Sequence, residues 1–287
     1  LEEVIMNYGL YLPNFGDEIN ASALAELAAE SEKVGWDGFF LWDHMLYSKS
    51  QKMNIVDPWI ALTAVAMKTN RIRFGTTLTP VCRRRPWHLA RETATLDNLS
   101  GGRLILSVGL GDPADADYSF FGEDPDPRIR AEKLDEGLDI LTGLWSGKPY
   151  GYQGRHYHME KVTFLPTPRQ KPRIPVWVGG FWPNKAPFRR AARWDGVLPL
   201  KKAGGVFLGP NDLSELLSFI RQQRTVEEPF DAAIIGTRAG LGKKSTAIAR
   251  ALSTLEQAGA TWWLQSLFIE RNSIERMRTA ILEGPPV

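Results

Sequence analysis

The stretch ATLDNLSGGRLILSVGLG, residues 94–111, holds the unit whose repetition decides the fold. A helix that Pro86 suits at its first turn runs into Gly101-Gly102, where glycine permits the left-handed stop. RLILSV, residues 103–108, follows as a strand, and a glycine loop closes it. Upstream, the same alternation recurs. MNYGLYL (6–12) is strand-like and ends at Pro13, and Asn20 caps a helix whose Leu24, Leu27, Ala28 and Val34 share one face. Gly35 stops that helix, DGFFLW (37–42) is the second strand, and Asp57-Pro58 opens a helix through Ile60, Leu62 and Val65. RIRFGTT (71–77) is the third strand.

Downstream, a long helix carries Leu134, Leu138, Leu141 and Trp145 on one face. PVWV (175–178), GVLPL (196–200), AAII (232–235) and TWWLQ (261–265) complete the strands. Helical stretches near 185–193, 213–222, 246–257 and 273–282 separate and follow them. Strand followed by helix implies parallel pairing through right-handed crossovers. Eight such units close a (β/α)8 TIM barrel, where five or six would suggest an open doubly wound sheet. Residues 151–173, rich in Gly, Pro, Tyr and His, break the rhythm as an extended or hairpin insertion between the fourth and fifth units. The expectation is one domain over residues 6–287, with residues 1–5 as leader or added sequence.

With 43% apolar and 24% charged residues the composition is ordinary for a globular chain. Lys plus Arg (35) nearly balance Asp plus Glu (33), which argues against a general nucleic-acid or membrane-surface binder. One cysteine, Cys82, leaves no intramolecular disulfide and no multi-cysteine metal site. The N-terminal residues do not read as a signal peptide and no run approaches a membrane span, so a cytoplasmic protein is expected. The four histidines lack zinc-protease spacing, and neither GxSxG nor a P-loop is present.

In a TIM barrel the reactive groups come from the C-terminal ends of the strands. That rule selects Asp43-His44, residues 76–79, residues 109–111, Gly179-Gly180 and Pro199-Leu200. His44 either polarises a substrate or moves a proton, or it is merely hydrogen-bonded in a loop while Asp43 caps backbone N–H groups. GLGDPA (109–114) matches a dinucleotide pattern, but Pro113 and the acidic run after it oppose a pyrophosphate-binding helix. Gly179-Gly180 either offers bare amides to an anion, aided by Lys185, Lys201 and Lys202, or makes a tight strand-to-helix turn. Arg83-Arg84-Arg85 either recognises an anionic ligand or is solvated and ion-paired. Of Trp42, Trp59, Trp87, Phe181, Trp182, Trp262 and Trp263, some wall a ring-shaped ligand and most are packing.

Together YGLYLPNFG (8–16), GWDGFFLWDH (35–44), RIRFGTTLTP (71–80), residues 85–111, IPVWVGG (174–180) and RRAARWDGVLP (189–199) resemble the luciferase-like monooxygenase superfamily of flavin- and deazaflavin-dependent barrels. The resemblance spans residues 6–200 and is weaker in the C-terminal third. It implies a flavin across the barrel mouth, with His44 facing the reacting ring or substrate. Thr76, Thr77 and Leu78 match a third-strand end that commonly bulges under the ring. Gly109 and Leu110 match the fourth-strand end, and Gly179, Gly180 and Phe181 the phosphate side. Asp43 and Pro199, at two further strand ends, complete the expected cofactor-binding set. Some relatives carry Ser or Thr where this chain has Phe181-Trp182-Pro183, and bacterial luciferase has a phosphate-holding arginine near Leu110.

The first expectation is therefore an FMN-dependent oxidoreductase, a two-component monooxygenase fed reduced FMN by a separate flavin reductase. It would act on a small organic molecule, as a homodimer. The alternatives are a dehydrogenase or reductase using the deazaflavin coenzyme F-420, and a non-catalytic flavin-binding protein.

Overall fold

The computed structural model describes residues 6–50, 52–202, 207–238, 246–268 and 273–286. Residues 1–5, expected as leader or added sequence, lie outside the described residues. Eight strands form a closed barrel: β1 (Asn7–Leu12), β2 (Gly38–Leu41), β3 (Arg73–Pro80), β4 (Leu104–Gly109), β7 (Val176–Trp182), β8 (Gly196–Lys201), β9 (Asp231–Gly236) and β10 (Trp262–Ser266). β5 (Tyr150–Gln153) and β6 (His158–Val162) pair separately as an antiparallel hairpin within the expected insertion. Every barrel pair is parallel, and β1 pairs with β10 to close the ring.

The crossovers are helical: α1 (Ala21–Lys33), α2 (Pro58–Lys68), α3 (Pro86–Leu99), α4 (Ala114–Asp117), α5 (Pro127–Trp145), α6 (Lys185–Ala191), α7 (Pro210–Gln223), α8 (Thr246–Gln257) and α9 (Ile274–Leu282). Their starts follow from local chemistry. The Asn20 side chain accepts the Ala23 N–H, and Asp57 accepts those of Trp59 and Ile60, satisfying amides that a first turn leaves unpaired. Proline occupies the first turn of α2, α3, α5 and α7, where no N–H is needed. Gly101 and Gly102 after α3 have φ of 73° and 92°, the left-handed stop the sequence suggested.

Two strands run well past their sequence signals, by three and four residues. β3 continues through Thr77 to Pro80. β7 continues through Gly179-Gly180 to Trp182, so that glycine pair lies inside a strand and is not a turn. The acidic run after β4 forms only the four-residue α4, and the sheet is closed, so no dinucleotide-binding helix starts at Gly111.

Packing is in two layers. Between barrel and helices lies a large apolar layer including Leu24, Trp36, Leu62, Leu138 and Met277. Inside the barrel, Phe40, Ile105, Trp177, Ala233, Trp262 and Leu264 make a second cluster. The rings of Phe40, Trp177 and Trp262 meet at 5.3–5.8 Å, filling the lumen as barrel cores are filled. Among the described residues no helix is long and apolar enough to cross a membrane.

Candidate active site at the barrel mouth

A cavity of about 1030 Å³ opens at the C-terminal ends of the strands. All eight barrel strands or the loops just after them contribute to it: Tyr11, His44, Leu78, Leu110, Phe181, Leu200, Thr237 and Phe268 stand in chain order around its wall. Of the expected site residues, Asp43, His44, Thr77, Leu78, Leu110, Gly179, Gly180 and Phe181 line the cavity. Thr76, Gly109 and Pro199 do not reach its lining.

Leu78 is placed by the backbone of β3. Three residue steps, Thr76 to Thr79, span what two steps, Leu106 to Val108, span in β4, so β3 carries a bulge, and the Thr77–Leu78 peptide is cis. The Leu78 side chain then lies against two glycines. A Cβ on Gly109 would stand 2.5 Å from one Leu78 methyl, and a Cβ on Gly179 2.2 Å from the other. Gly179 is thus bare to admit Leu78. At Gly180 the same space is taken by Pro187, at 2.4 Å from a Cβ there. These glycines pair with Leu198 and Pro199 of β8, and their missing side chains are accounted for by packing.

Two of the three lysines expected near a phosphate, Lys185 and Lys201, are engaged elsewhere. Lys185 sits 3.7 Å from the Trp182 ring centroid, and Lys201 pairs with Asp212 at 2.7 Å. Arg190 of α6 lines the cavity, held from behind by Asp135. Leu110 and Gly111 are fixed through their carbonyls, which accept from Arg130 of α5 at 2.8 and 2.9 Å.

Beneath His44 lies a buried ionic network. Arg83, with a side chain only 7% exposed, pairs with both Asp43 and Asp117. Arg84 adds a second cation to Asp43 at 3.1 Å, and Thr79 donates to the same carboxylate at 3.0 Å. Thr76 joins through Thr79 at 2.7 Å. Asp43 thus lines the cavity while paired with two guanidinium groups, and the arginine run is ion-paired at Arg83 and Arg84. Asn14 clamps the His44 backbone, donating to its carbonyl at 3.0 Å and accepting its N–H at 3.3 Å.

The imidazole is walled by Phe15, Trp42 and Tyr47, with ring centroids 5.6–5.9 Å away. Burial, with Arg83 second, lowers the His44 pKa to about 4 against the opposing pull of Asp43 and Asp112. The ring is neutral at physiological pH. Its Nδ1 is buried without a hydrogen-bond partner, which leaves Nε2 for the cavity. Trp42 stacks on Phe268 at 5.3 Å, and its Nε1 is a second buried donor without a partner on this wall. Of the other aromatic candidates, Phe181 lines the cavity, Trp262 fills the lumen, Trp59, Trp182 and Trp263 join the outer core, and Trp87 packs against it.

The profile described as luciferase-like monooxygenase matches residues 6–204, well over half the chain. The chain belongs to the luciferase-like monooxygenase family. It is 29% identical over 171 residues to the F420-dependent glucose-6-phosphate dehydrogenase of Microbacterium testaceum. That match covers 58% of this chain and 49% of the relative, so the chain spans about half the length of the curated relatives it matches. Solved luciferase-like barrels share the fold. An F420-dependent secondary alcohol dehydrogenase in complex with an F420-acetone adduct superposes with a TM-score of 0.75 at 17% identity, over 97% of this chain and 99% of that one. The FMN complex of the oxygenating constituent of 3,6-diketocamphane monooxygenase from Pseudomonas putida gives 0.64 at 18%, over 80% and 67%.

Within this luciferase-like site, strand-end reasoning found His44, Leu78 and the glycines. It missed Tyr11, Asn14, Asp117 and Phe268. Asn14 follows Pro13 at the end of β1, a strand-end signal that was available. Asp117 and Phe268 lie beyond their strands in loops, and no periodicity points to them.

Proposed function

We propose that this chain is a coenzyme F-420-dependent dehydrogenase or reductase that interconverts a hydroxyl and a carbonyl group on a small organic substrate. This was the alternative to the FMN monooxygenase in the sequence reading, and similarity to an F420-dependent dehydrogenase supports it over that first expectation. The observation that carries it is His44, a neutral imidazole held rigidly at the cavity with one nitrogen left for a ligand.

The cavity fits a flat tricyclic ring. Leu78 and Gly179 supply an apolar floor, and Tyr11, Trp42, Phe181 and Phe268 supply aromatic walls. Arg190 is placed to meet an anionic tail. When bound, the deazaflavin supplies a two-electron hydride acceptor or donor. The protein's own part is proton transfer and shielding. His44 takes the hydroxyl proton on Nε2 as the carbonyl forms and returns it in the reverse direction. Its lowered pKa keeps that nitrogen free at neutral pH. Burial pushes the Tyr11 phenol up, so Tyr11 stays a neutral hydroxyl beside the substrate space. The aromatic walls exclude water.

Thermal unfolding with coenzyme F-420, oxidised FMN and reduced FMN in parallel tests the cofactor. At a hundredfold excess over the dissociation constant a ligand stabilises by about 2.7 kcal/mol, and F-420 is expected to give the larger rise. Stabilisation by reduced FMN alone would return the monooxygenase reading.

A further inference from the structure

The mechanism above needs His44 in one of two neutral forms, with the proton on Nδ1 and the lone pair on Nε2. Nothing described so far selects that form. The structure places one group where it does so. Asp117, on α4 after the fourth strand, points its Oδ2 at His44 Nδ1 across 3.8 Å. Both atoms are buried, and neither has a hydrogen-bond partner. The opposite oxygen, Oδ1, is fully committed: Arg83 donates to it, and the Met45 N–H donates at 3.3 Å. Asp117 is therefore oriented by two donors that sit on one side only.

The close approach at Oδ2 depends on Gly111. A Cβ there would stand 2.9 Å from Oδ2, and Gly111 has a φ of 81° that suits glycine alone. The loop after β4 thus leaves room for a carboxylate behind the imidazole.

We propose that Asp117 is the positioning residue of His44, selecting the tautomer with Nδ1 protonated and so leaving Nε2 as the proton acceptor. An Nδ1 lone pair facing Oδ2 would set two acceptors against each other, whereas an Nδ1–H turns the same geometry into a charge-assisted contact. At 3.8 Å the contact is longer than a formed hydrogen bond and acts through charge. Burial pushes the Asp117 carboxyl above its usual range while Arg83 and the Met45 N–H pull against that. Arg83, through Asp43, ties Asp117 to the loop that carries His44. This assignment rests on the base role given to His44 above, but its test does not require turnover.

Asp117→Asn separates the possibilities. Arg83 and the Met45 N–H are donors, so the carbonyl oxygen of the new amide takes the Oδ1 position and its NH₂ faces Nδ1. That donor favours the opposite tautomer. Histidine-¹⁵N-labelled full-length chain at neutral pH, without cofactor, is read by two-bond ¹H–¹⁵N correlation, with His44→Gln assigning the signals. The expected result is Nδ1 protonated in the wild type and Nε2 protonated in Asp117→Asn. A wild type with Nε2 protonated, or a folded Asp117→Asn with the wild-type pattern, overturns the proposal. If the variant fails to fold, the wild-type pattern alone decides. Turnover is the second arm: kcat should fall at least about a hundredfold, with KM little changed. A reversed tautomer with unchanged kcat supports the assignment and overturns the base role of His44 instead.

Discussion

At the scale of single residues the site is governed by how burial treats charge. His44 is held neutral by desolvation and by a guanidinium beside its carboxylate neighbours. A folded-state pKa near 4, below the ordinary 6.5, means the unfolded chain binds a proton first as pH falls. The sign follows: His44 costs the fold nothing above pH 6.5, and the penalty grows as pH falls from 6.5 to 4. Its full size is about 3 kcal/mol. His44→Gln should therefore lose less stability than wild type across that window, measured by denaturant titration at stepped pH. The same variant should lower kcat by about 10²–10⁴ with cofactor affinity little changed. Turnover within about threefold of wild type would leave His44 a structural residue.

His44 itself was legible because it directly follows a strand. Its supports were not. Arg83 and Asp43 stand 40 residues apart, and Arg83 and Asp117 34 apart, so only the closed barrel brings them together. A run of three arginines reads the same whether solvated or paired; burial decides it.

At the scale of elements, the informative case is the misread end of β7. Gly-Gly after an apolar run signals a turn, because glycine is the default where the chain must bend. Here both glycines stay extended inside the strand, and each is small because another element occupies its Cβ space. Leu78, pushed inward by the bulge in β3, is what Gly179 makes way for. The two elements are therefore coupled. Gly179→Ala should destabilise by about 1–3 kcal/mol through overpacking. In a Leu78→Ala background most of that cost should vanish, a coupling of at least about 0.5 kcal/mol in a double-mutant cycle. Additive effects would show that Leu78 does not rest on Gly179. No such relation is visible in sequence, where the two residues belong to different strands and match no shared period.

At the scale of the whole molecule the barrel divides its labour between two ends. The strand–helix alternation was legible throughout because each unit repeats the same local signals, apolar run, cap and stop. The end opposite the site shows what stability looks like there. Glu32, on α1, accepts the backbone N–H groups of Asn70, Arg71 and Ile72 at 3.0, 2.6 and 2.7 Å, binding the entry to β3. Burial works against its charge, but those amides and Arg71 outweigh it and hold the carboxyl below its usual range. Its contribution is thus present above pH 4.5 and lost as pH falls through the lowered value. Glu32→Ala should cost about 1–2 kcal/mol at neutral pH and leave cofactor affinity unchanged, as calorimetry and ligand titration would show. A matching loss of affinity would mean that the two ends communicate.

The pairing of β1 with β10 means that the ring has no seam. Every barrel strand has a neighbour on both sides, so the barrel carries no record of which unit was synthesised first. The hairpin of β5 and β6 stands apart from that circle. A polypeptide whose ends were joined by a linker, and which was reopened in the hairpin, would still return each barrel strand to the same two neighbours. The chain's linear order is a matter of its translation. The barrel mouth depends only on the cyclic one.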